Sequence, residues 1–494
     1  MITLLNRFLA SDKSRQRLSL FSPWLIIALA AFLRLWNLGY PKKLVFDETY
    51  YVKDAWSLWT TGAEKSWPDN ANPAFESGYV NTFLNDPSFV VHPPLGKWIM
   101  GLGMWLFGPA NSYSWRISVA LLSIAAVGLI MLVARILFQT QIWSLAAGFL
   151  FAIDGHAIVL GRTGLLDSIL MFFALLAFYF LLKHLQSRKL QQPTWRQPWL
   201  LAAGLSLGAA TAVKWSGVYF LAAFGLYVVF SDLLERRRRA HLANNEPEAI
   251  EVRVSTWLFP SAIQGLISFV LMVPIAIATY LASWTGWLVT SGGYDRDSNP
   301  NPFIALWNYH QDAYNFHINL HTPHSYASSP LTWLFDIRPT SFFYESLSNG
   351  QSGCASTDGC SSAITALGNP FIWLPAAASI FLLAYLFVTR RSRVGGLILL
   401  GIAGGYLPWL AFLNRTVFQF YSIAFLPWML LALVYGLRLY LHTRKPDELS
   451  GAVKLIGGYF GLAFAVSLFF LPIWIGTWTP YWYWHLHMWL PSWI

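Results

Sequence analysis

About eleven long apolar stretches run through this chain, and they constrain its fold more than any other feature. Each stretch is long and lacks the alternating pattern of a transmembrane strand, so the spanning elements are predicted to be helices. Their approximate centres are residues 30, 126, 150, 176, 205, 223, 272, 380, 403, 429 and 463. Only 11% of the residues are charged, whereas a soluble domain carries about a quarter. The sequence therefore predicts one all-α polytopic membrane domain over residues 1–494.

The net charge of +10 does not indicate nucleic-acid binding, because the basic residues form short clusters between apolar stretches. Clusters at 135, 183–196, 236–239, 390–393 and 444–454 fall on the same side as the basic N-terminus, which holds Arg7, Lys13, Arg15 and Arg17. The positive-inside rule makes that side cytoplasmic, with anionic membrane lipids as its partners. The first apolar run lacks a small-residue cleavage site, so we interpret it as a retained helix. An odd number of spans places the C-terminus outside.

Two long loops are predicted on the outer side, over residues 39–114 and 290–369. These loops hold nearly all of the candidate site residues, which predicts a functional site on the outer face of the cell membrane. Asn85 and Ser356 should therefore face outside, and Asn245 should face the cytoplasm. The Trp- and Tyr-rich tail from residue 476 is typical of an aromatic anchor at the headgroup level.

An adjacent acidic pair, Asp47 and Glu48, follows the first apolar stretch in the motif FDETYY. Two carboxylates where a chain leaves the bilayer are candidates for chemistry at the membrane surface. An ordinary acidic pair in a loop is the alternative.

The same loop continues to HPPLGKW, which contains His92 and Lys97, and Arg116 follows at the outer end of the second span. Residues 96–108 (GKWIMGLGMWLFG) are apolar but short, which predicts an amphipathic or re-entrant helix at the interface. Lys97 and Arg116 supply two cations at the level of a lipid phosphate. Alternatively, the Lys97 stem lies on apolar surface with its ammonium at the interface, and Arg116 is simply a basic residue at the end of a helix.

Further charged residues lie at the ends of later spans. Asp167 begins a span, where it either caps the helix or forms a second acid in the same cavity. The remaining candidates are Arg34, Asp154, His156, Arg162, Lys214, Arg415 and Tyr421. Cys354 and Cys360 share one outer loop; they are either free thiols or, in an oxidising compartment, a short-range disulfide.

The ordered set of motifs FDETYY, HPPLGKW, the Arg116 segment, GLLDSILMFF, AVKWSG and QFYSIAFLPW resembles protein O-mannosyltransferases of the GT-C glycosyltransferase class. The stretch HSYASSPLTWLFDIRPTSFFYES resembles the bacterial, actinobacterial-type members. The eukaryotic members carry a β-trefoil (MIR) domain in the second outer loop. The roughly 80 residues of that loop here leave no room for one.

The resemblance implies transfer of mannose from polyprenyl-phosphate-mannose to Ser or Thr hydroxyls of exported proteins, with inversion at the sugar. It implies Asp47 as the general base, Glu48 as a residue that positions the acceptor, and Asp167 as a second acid. The residues expected at the donor phosphate are Arg116, Lys97, Tyr421 and His92. We expect no cofactor and no metal ion, because a phosphate leaving group does not demand one. The translocon is a further candidate partner.

Three other functions compete with this interpretation. A GT-C transferase acting on lipid A or an arabinan would share the fold. A transporter would place its charges at the membrane midplane and show paired halves, and no repeat is visible. A non-catalytic scaffold is the third, and the intact acidic pair argues against it.

Overall fold

The computed structural model describes residues 12–188, 190, 192–243 and 255–494. Arg7 and Asn245 lie outside the described residues. In chain order the helices are α1 Asp12–Leu35, α2 Glu48–Thr61, α3 Ala71–Glu76, α4 Leu95–Phe107, α5 Ser112–Phe138, α6 Gln141–Ile153, α7 Gly155–Leu160, α8 Asp167–Ser187, α9 Pro198–Val213, α10 Gly217–Ala243, α11 Ser255–Ser283, α12 Thr285–Val289, α13 Pro302–Ile318, α14 Pro370–Arg390, α15 Arg393–Gly405, α16 Leu426–His442, α17 Leu449–Ile475 and α18 Tyr481–His485.

Each of the eleven predicted span centres falls inside one of these helices. Six of the described helices, namely α5, α8, α10, α11, α14 and α17, are long and apolar enough to cross a membrane. The other five centres lie in shorter apolar helices of the described chain. The mostly helical membrane fold is thereby confirmed, while the count of eleven crossings stays a prediction.

The centre of the bundle is built on α8, which packs against α5 and α9, while α9 also packs against α11. Two glycines of α9 allow this close approach. A Cβ at Gly204 would lie 2.7 Å from the Leu271 carbonyl oxygen, and one at Gly208 would lie 2.6 Å from that of Ala276. Small residues at such contacts let helix backbones pack directly in a membrane. This packing fixes the end of α9, immediately before Lys214.

A small antiparallel sheet, which the sequence did not predict, lies in the loop over residues 290–369 and the C-terminal segment. Its strands are β1 Thr340–Leu347, β2 Cys360–Ala366 and β3 Thr479–Pro480, in the order β1-β2-β3. A disulfide joins Cys354 to Cys360 and confirms the bridged alternative. Because β3 belongs to the aromatic tail, that tail packs on the sheet, where Trp484 is buried against Tyr344 of β1. Trp493 is buried beside Phe470 and donates to the Asp336 carbonyl oxygen.

Candidate functional site

Asp47 immediately precedes helix α2, and its side chain makes no capping hydrogen bond. It makes no other side-chain hydrogen bond to the described residues, so both carboxylate oxygens are free for a substrate. Burial raises the pKa of Asp47 from 3.8 to about 6; the nearby Lys214 lowers that pKa and Asp167 raises it. A half-buried, uncommitted carboxylate with a raised pKa is suited to accept a proton near neutral pH.

The residue before Asp47 adopts an unusual backbone conformation. Phe46 has φ = 48°, in the left-handed region that bulky residues avoid. Its ring contacts Phe342, Phe418 and Phe420, with centroids 5.2–5.7 Å apart. These aromatic contacts hold the strained turn and thereby fix the position of Asp47. Backbone strain held by its surroundings is common at functional sites.

Asp167 and Lys214 form a buried ion pair beside Asp47. The Lys214 ammonium donates to both carboxylate oxygens of Asp167, at 2.9 and 3.2 Å, and lies 4.2 Å from the centre of the Tyr421 ring. Helix α8 begins at Asp167 itself, and the preceding Leu166 provides no side-chain cap. The structure therefore favours the second-acid interpretation of Asp167 over helix capping.

Arg415 reaches the same site from the C-terminal half of the chain. Its terminal Nη2 donates to His317 Nδ1 at 2.9 Å, and His317 Nε2 donates to the Val91 carbonyl oxygen at 3.0 Å. These two contacts fix the imidazole tautomer. Burial and the Arg415 charge lower the pKa of His317 to about 4, so the imidazole is neutral. His92 stacks on His317 with centroids 5.5 Å apart.

These side chains surround a pocket of about 140 Å³. Lys214 and Arg415 are the two cations in its lining, and His92, His317 and Tyr421 are among the other lining residues. Asp167 neutralises Lys214. No carboxylate among the described residues pairs with Arg415, and its buried Nε has no hydrogen-bond partner there. The pocket therefore carries one uncompensated positive charge, suited to an anionic group.

Glu48 has a different environment from its neighbour Asp47. It is fully buried, and its two oxygens accept four hydrogen bonds: two from Arg116 at 2.7 Å, one from the Val45 N–H at 3.0 Å and one from the Gly164 N–H at 2.7 Å. This leaves little capacity for an acceptor hydroxyl. We therefore revise the prediction that Glu48 positions the acceptor and describe it as a structural residue.

Arg116 is equally committed. Besides its two bonds to Glu48, it donates to the carbonyl oxygens of Leu38 at 3.2 Å, Pro41 at 3.0 Å and Lys43 at 2.9 Å. A guanidinium has five N–H donors, so every donor of Arg116 is used. Its predicted role at the donor phosphate does not fit these contacts, because binding there would break a buried ion pair.

Lys97 is also paired away from the pocket. Its ammonium lies 2.5 Å from Glu64 and donates to the His92 carbonyl oxygen at 3.1 Å. Burial raises the pKa of the Asp54 carboxyl to about 7, against the opposing effect of the Lys97 charge. Lys97 therefore supports the segment that carries His92 and does not line the phosphate-sized pocket.

Of the predicted site residues, the structure brings together Asp47, Asp167, His92 and Tyr421, with the weaker candidates Lys214 and Arg415. His317, Trp215 and Trp409 are among the other lining residues and were not predicted. They lie in segments rich in aromatic residues, where the sequence gives no signal that separates pocket residues from packing residues. Arg34, Asp154, His156 and Arg162 are buried elsewhere in the bundle.

Comparison with known proteins assigns the family. The family model of dolichyl-phosphate-mannose-protein mannosyltransferases matches residues 24–290. The C-terminal four TMM region of protein-O-mannosyltransferase matches residues 302–493. The chain belongs to the protein O-mannosyltransferase family.

Relatives extend over nearly the full length of this family member. It is 30% identical to the polyprenol-phosphate-mannose–protein mannosyltransferase of Mycolicibacterium smegmatis, over 95% of this chain and 92% of that protein. It is 31% identical to the enzyme of the same description from Corynebacterium glutamicum, over 95% and 93%. The fold matches the donor-bound S. cerevisiae protein O-mannosyltransferase Pmt1-Pmt2 complex, with a TM-score of 0.73 at 15% identity, over 96% of this chain and 92% of that chain.

Proposed function

We propose that this membrane enzyme transfers mannose from polyprenyl-phosphate-mannose to Ser or Thr hydroxyls of exported proteins, with inversion, on the outer face of the membrane. The observation that carries the proposal is the free carboxylate of Asp47 beside a pocket with one uncompensated cation. The full-length similarity to polyprenol-phosphate-mannose–protein mannosyltransferases supports it.

In the proposed reaction, Asp47 accepts the proton of the acceptor hydroxyl as its oxygen attacks C1 of mannose. The bond between C1 and the phosphate oxygen breaks, and its electron pair leaves with the polyprenyl phosphate. A single base suffices because an inverting transfer forms no covalent glycosyl-enzyme. The departing phosphate needs no proton donor, so the proposed step uses neither a cofactor nor a metal ion.

We assign the donor phosphate to Arg415, with Lys214 and Tyr421 as neighbouring contacts. Arg415 combines an uncompensated charge with a free buried Nε. A charge-assisted hydrogen bond from a guanidinium is among the strongest contacts available to a phosphate. The Lys214–Asp167 pair then adds a cation whose position is fixed, which stabilises charge that grows on the leaving group.

The test is incubation of the purified enzyme with radiolabelled polyprenyl-phosphate-mannose and a Thr-, Pro- and Ala-rich peptide. Wild-type protein should move the label from lipid to peptide, and Asp47→Asn should not. Asp69→Asn removes an exposed carboxylate from the same outer loop and should leave transfer unchanged. Label transferred to lipid A or arabinan instead of peptide would favour another GT-C activity. Movement of the intact lipid donor across a vesicle membrane, without transfer of mannose, would favour a transporter.

The outer location of the site is tested separately by cysteine substitution in intact cells. A membrane-impermeant thiol reagent should label cysteines introduced at Asn85 and Ser356 but not one introduced at Asn245. The reason is the alternation of basic clusters along the chain. Labelling at residue 245 would contradict both the orientation and the outer site.

A further inference from the structure

A second pocket of about 180 Å³ lies at the end of the helix bundle opposite to Asp47. Helix α8 begins at Asp167 in the catalytic site and ends at Ser187 in this pocket. Its 21 residues span about 30 Å at 1.5 Å per residue. This distance separates the second pocket from the catalytic site. The pocket is several times larger than the roughly 30 Å³ of one liquid water.

The lining of this pocket is basic. Arg188 and Arg196 line it, and Asp232 is the one acid among its lining residues. Asp232 is already engaged, because Arg236 Nε donates to it at 2.7 Å. Arg188 uses one Nη1 contact to the Ser231 hydroxyl at 3.0 Å, which leaves most of its donors free among the described residues. The lining therefore holds two arginines against one acid, and that acid is shared with Arg236.

One buried polar atom beside the pocket lacks a partner among the described residues. Arg236 is only 5% exposed, and its Nη2 makes no hydrogen bond. Buried polar groups are normally hydrogen-bonded, so this N–H remains available to a further acceptor. His184 lines the pocket, and no described residue hydrogen-bonds its imidazole.

Helix α9 adds a backbone contribution. Gln197 and Pro198, where this 16-residue helix begins, line the pocket, and Gln197 makes no side-chain cap. The dipole of a helix N-terminus favours an anion, although Pro198 has no N–H and the Leu200 N–H already donates to the Gln197 carbonyl oxygen. Trp199 stacks on Phe180 and lies under the Lys183 ammonium, with the neighbouring Trp195 exposed. Tryptophan together with lysine is typical of the headgroup layer of a membrane.

We propose that this pocket binds a phosphate group. Its position at a bundle end with interfacial tryptophans points to the headgroup of an anionic phospholipid, and inorganic phosphate carries the same chemistry. The ligand would satisfy His184, Arg188 and the α9 N-terminus together. This site is independent of mannose transfer, and loss of either function leaves the other testable.

The test titrates dioctanoyl phosphatidylglycerol into the purified protein in a neutral detergent and counts bound lipid by native mass spectrometry. Arg188→Gln should weaken the first binding step about tenfold, as expected for loss of a charge-assisted contact. Arg238→Gln is the matched control: it removes a largely exposed arginine from the same bundle end, outside the pocket. An unfolding temperature unchanged from wild type in both variants shows that they are folded.

A parallel arm uses millimolar inorganic phosphate. Displacement of the lipid by phosphate would support a shared phosphate site, and binding of phosphate without the lipid would support the chemistry but overturn the lipid source. If Arg188→Gln and Arg238→Gln weaken lipid binding equally, the lipid is attracted by the overall positive charge of this bundle end, and the proposal is overturned. Absence of binding by both probes would overturn it as well.

Discussion

Replacement of Arg116 should damage the fold before it affects donor binding. In Arg116→Gln, the buried Glu48 carboxylate loses its charged partner, and several of the carbonyl oxygens of Leu38, Pro41 and Lys43 lose their donors. Breaking a buried ion pair from one side costs about 3–5 kcal/mol. Each buried acceptor left without a donor adds about 1–3 kcal/mol, partly offset by relaxation. Together these costs are a large part of the usual free energy of unfolding of a protein.

The double variant Arg116→Gln/Glu48→Gln distinguishes charge from packing. Because it removes the uncompensated carboxylate, it should recover part of the lost stability relative to Arg116→Gln alone. Arg116→Lys should rescue little, since one ammonium cannot replace five donors in a planar array. Lys42→Gln, at an exposed position of the same loop, is the control for a changed net charge.

The assay is thermal unfolding of the purified proteins, followed by tryptophan fluorescence, with donor affinity measured on the fraction that stays folded. We expect a lower unfolding temperature for Arg116→Gln and a donor Kd within about twofold of wild type, because no Arg116 donor is free for phosphate. Unchanged thermal stability together with a donor Kd raised about tenfold would refute the structural role and restore Arg116 to the phosphate site.

Three further predictions concern the catalytic pocket. Arg415→Gln should raise the donor Kd about tenfold, measured by donor titration; an unchanged Kd would exclude Arg415 as the phosphate ligand. Asp47→Asn should lower the turnover rate by about 10²–10⁴-fold with donor binding retained; an active variant would make Asp167 the candidate base. Because the pKa of Asp47 is about 6, its ionised fraction drops from roughly nine-tenths at pH 7 to roughly one-tenth at pH 5. Transfer by the wild type should therefore fall as the pH is lowered through about 6, and a rate independent of pH between 5 and 7 would contradict Asp47 as the base.

The sequence was sufficient for the long apolar helices, but not for the helices inside the predicted loops, such as α2 and α13, or for the pairing of the charged side chains. Long apolar stretches locate helices directly, because burial in lipid dictates both their length and their composition. The motifs and the family resemblance proposed Asp47, Asp167 and Tyr421 as site residues, and the structure places the three near Lys214. It could not separate Asp47 from Glu48, since adjacent residues of a chain can face different environments.

Arg116 and Lys97 show why the cations were harder to assign. An arginine near a membrane surface is equally compatible with a ligand contact and with a buried ion pair. The partners that decide between them, Glu48 and Glu64, are distant in sequence. The small sheet was missed for a related reason: β3 is two residues long and depends on β2, more than a hundred residues earlier.

The proposed catalytic residues come from both matched parts of the chain. Asp47 and Lys214 belong to residues 24–290, whereas Arg415 and Tyr421 belong to residues 302–493. During synthesis, a chain that has inserted only its first part into the membrane therefore has the base but lacks the cation assigned to the donor phosphate. Under the proposed assignment, a partly synthesised chain cannot bind the lipid donor, and it therefore cannot hydrolyse the bond between mannose and phosphate. Competence for transfer arises only when the last helices have joined the bundle.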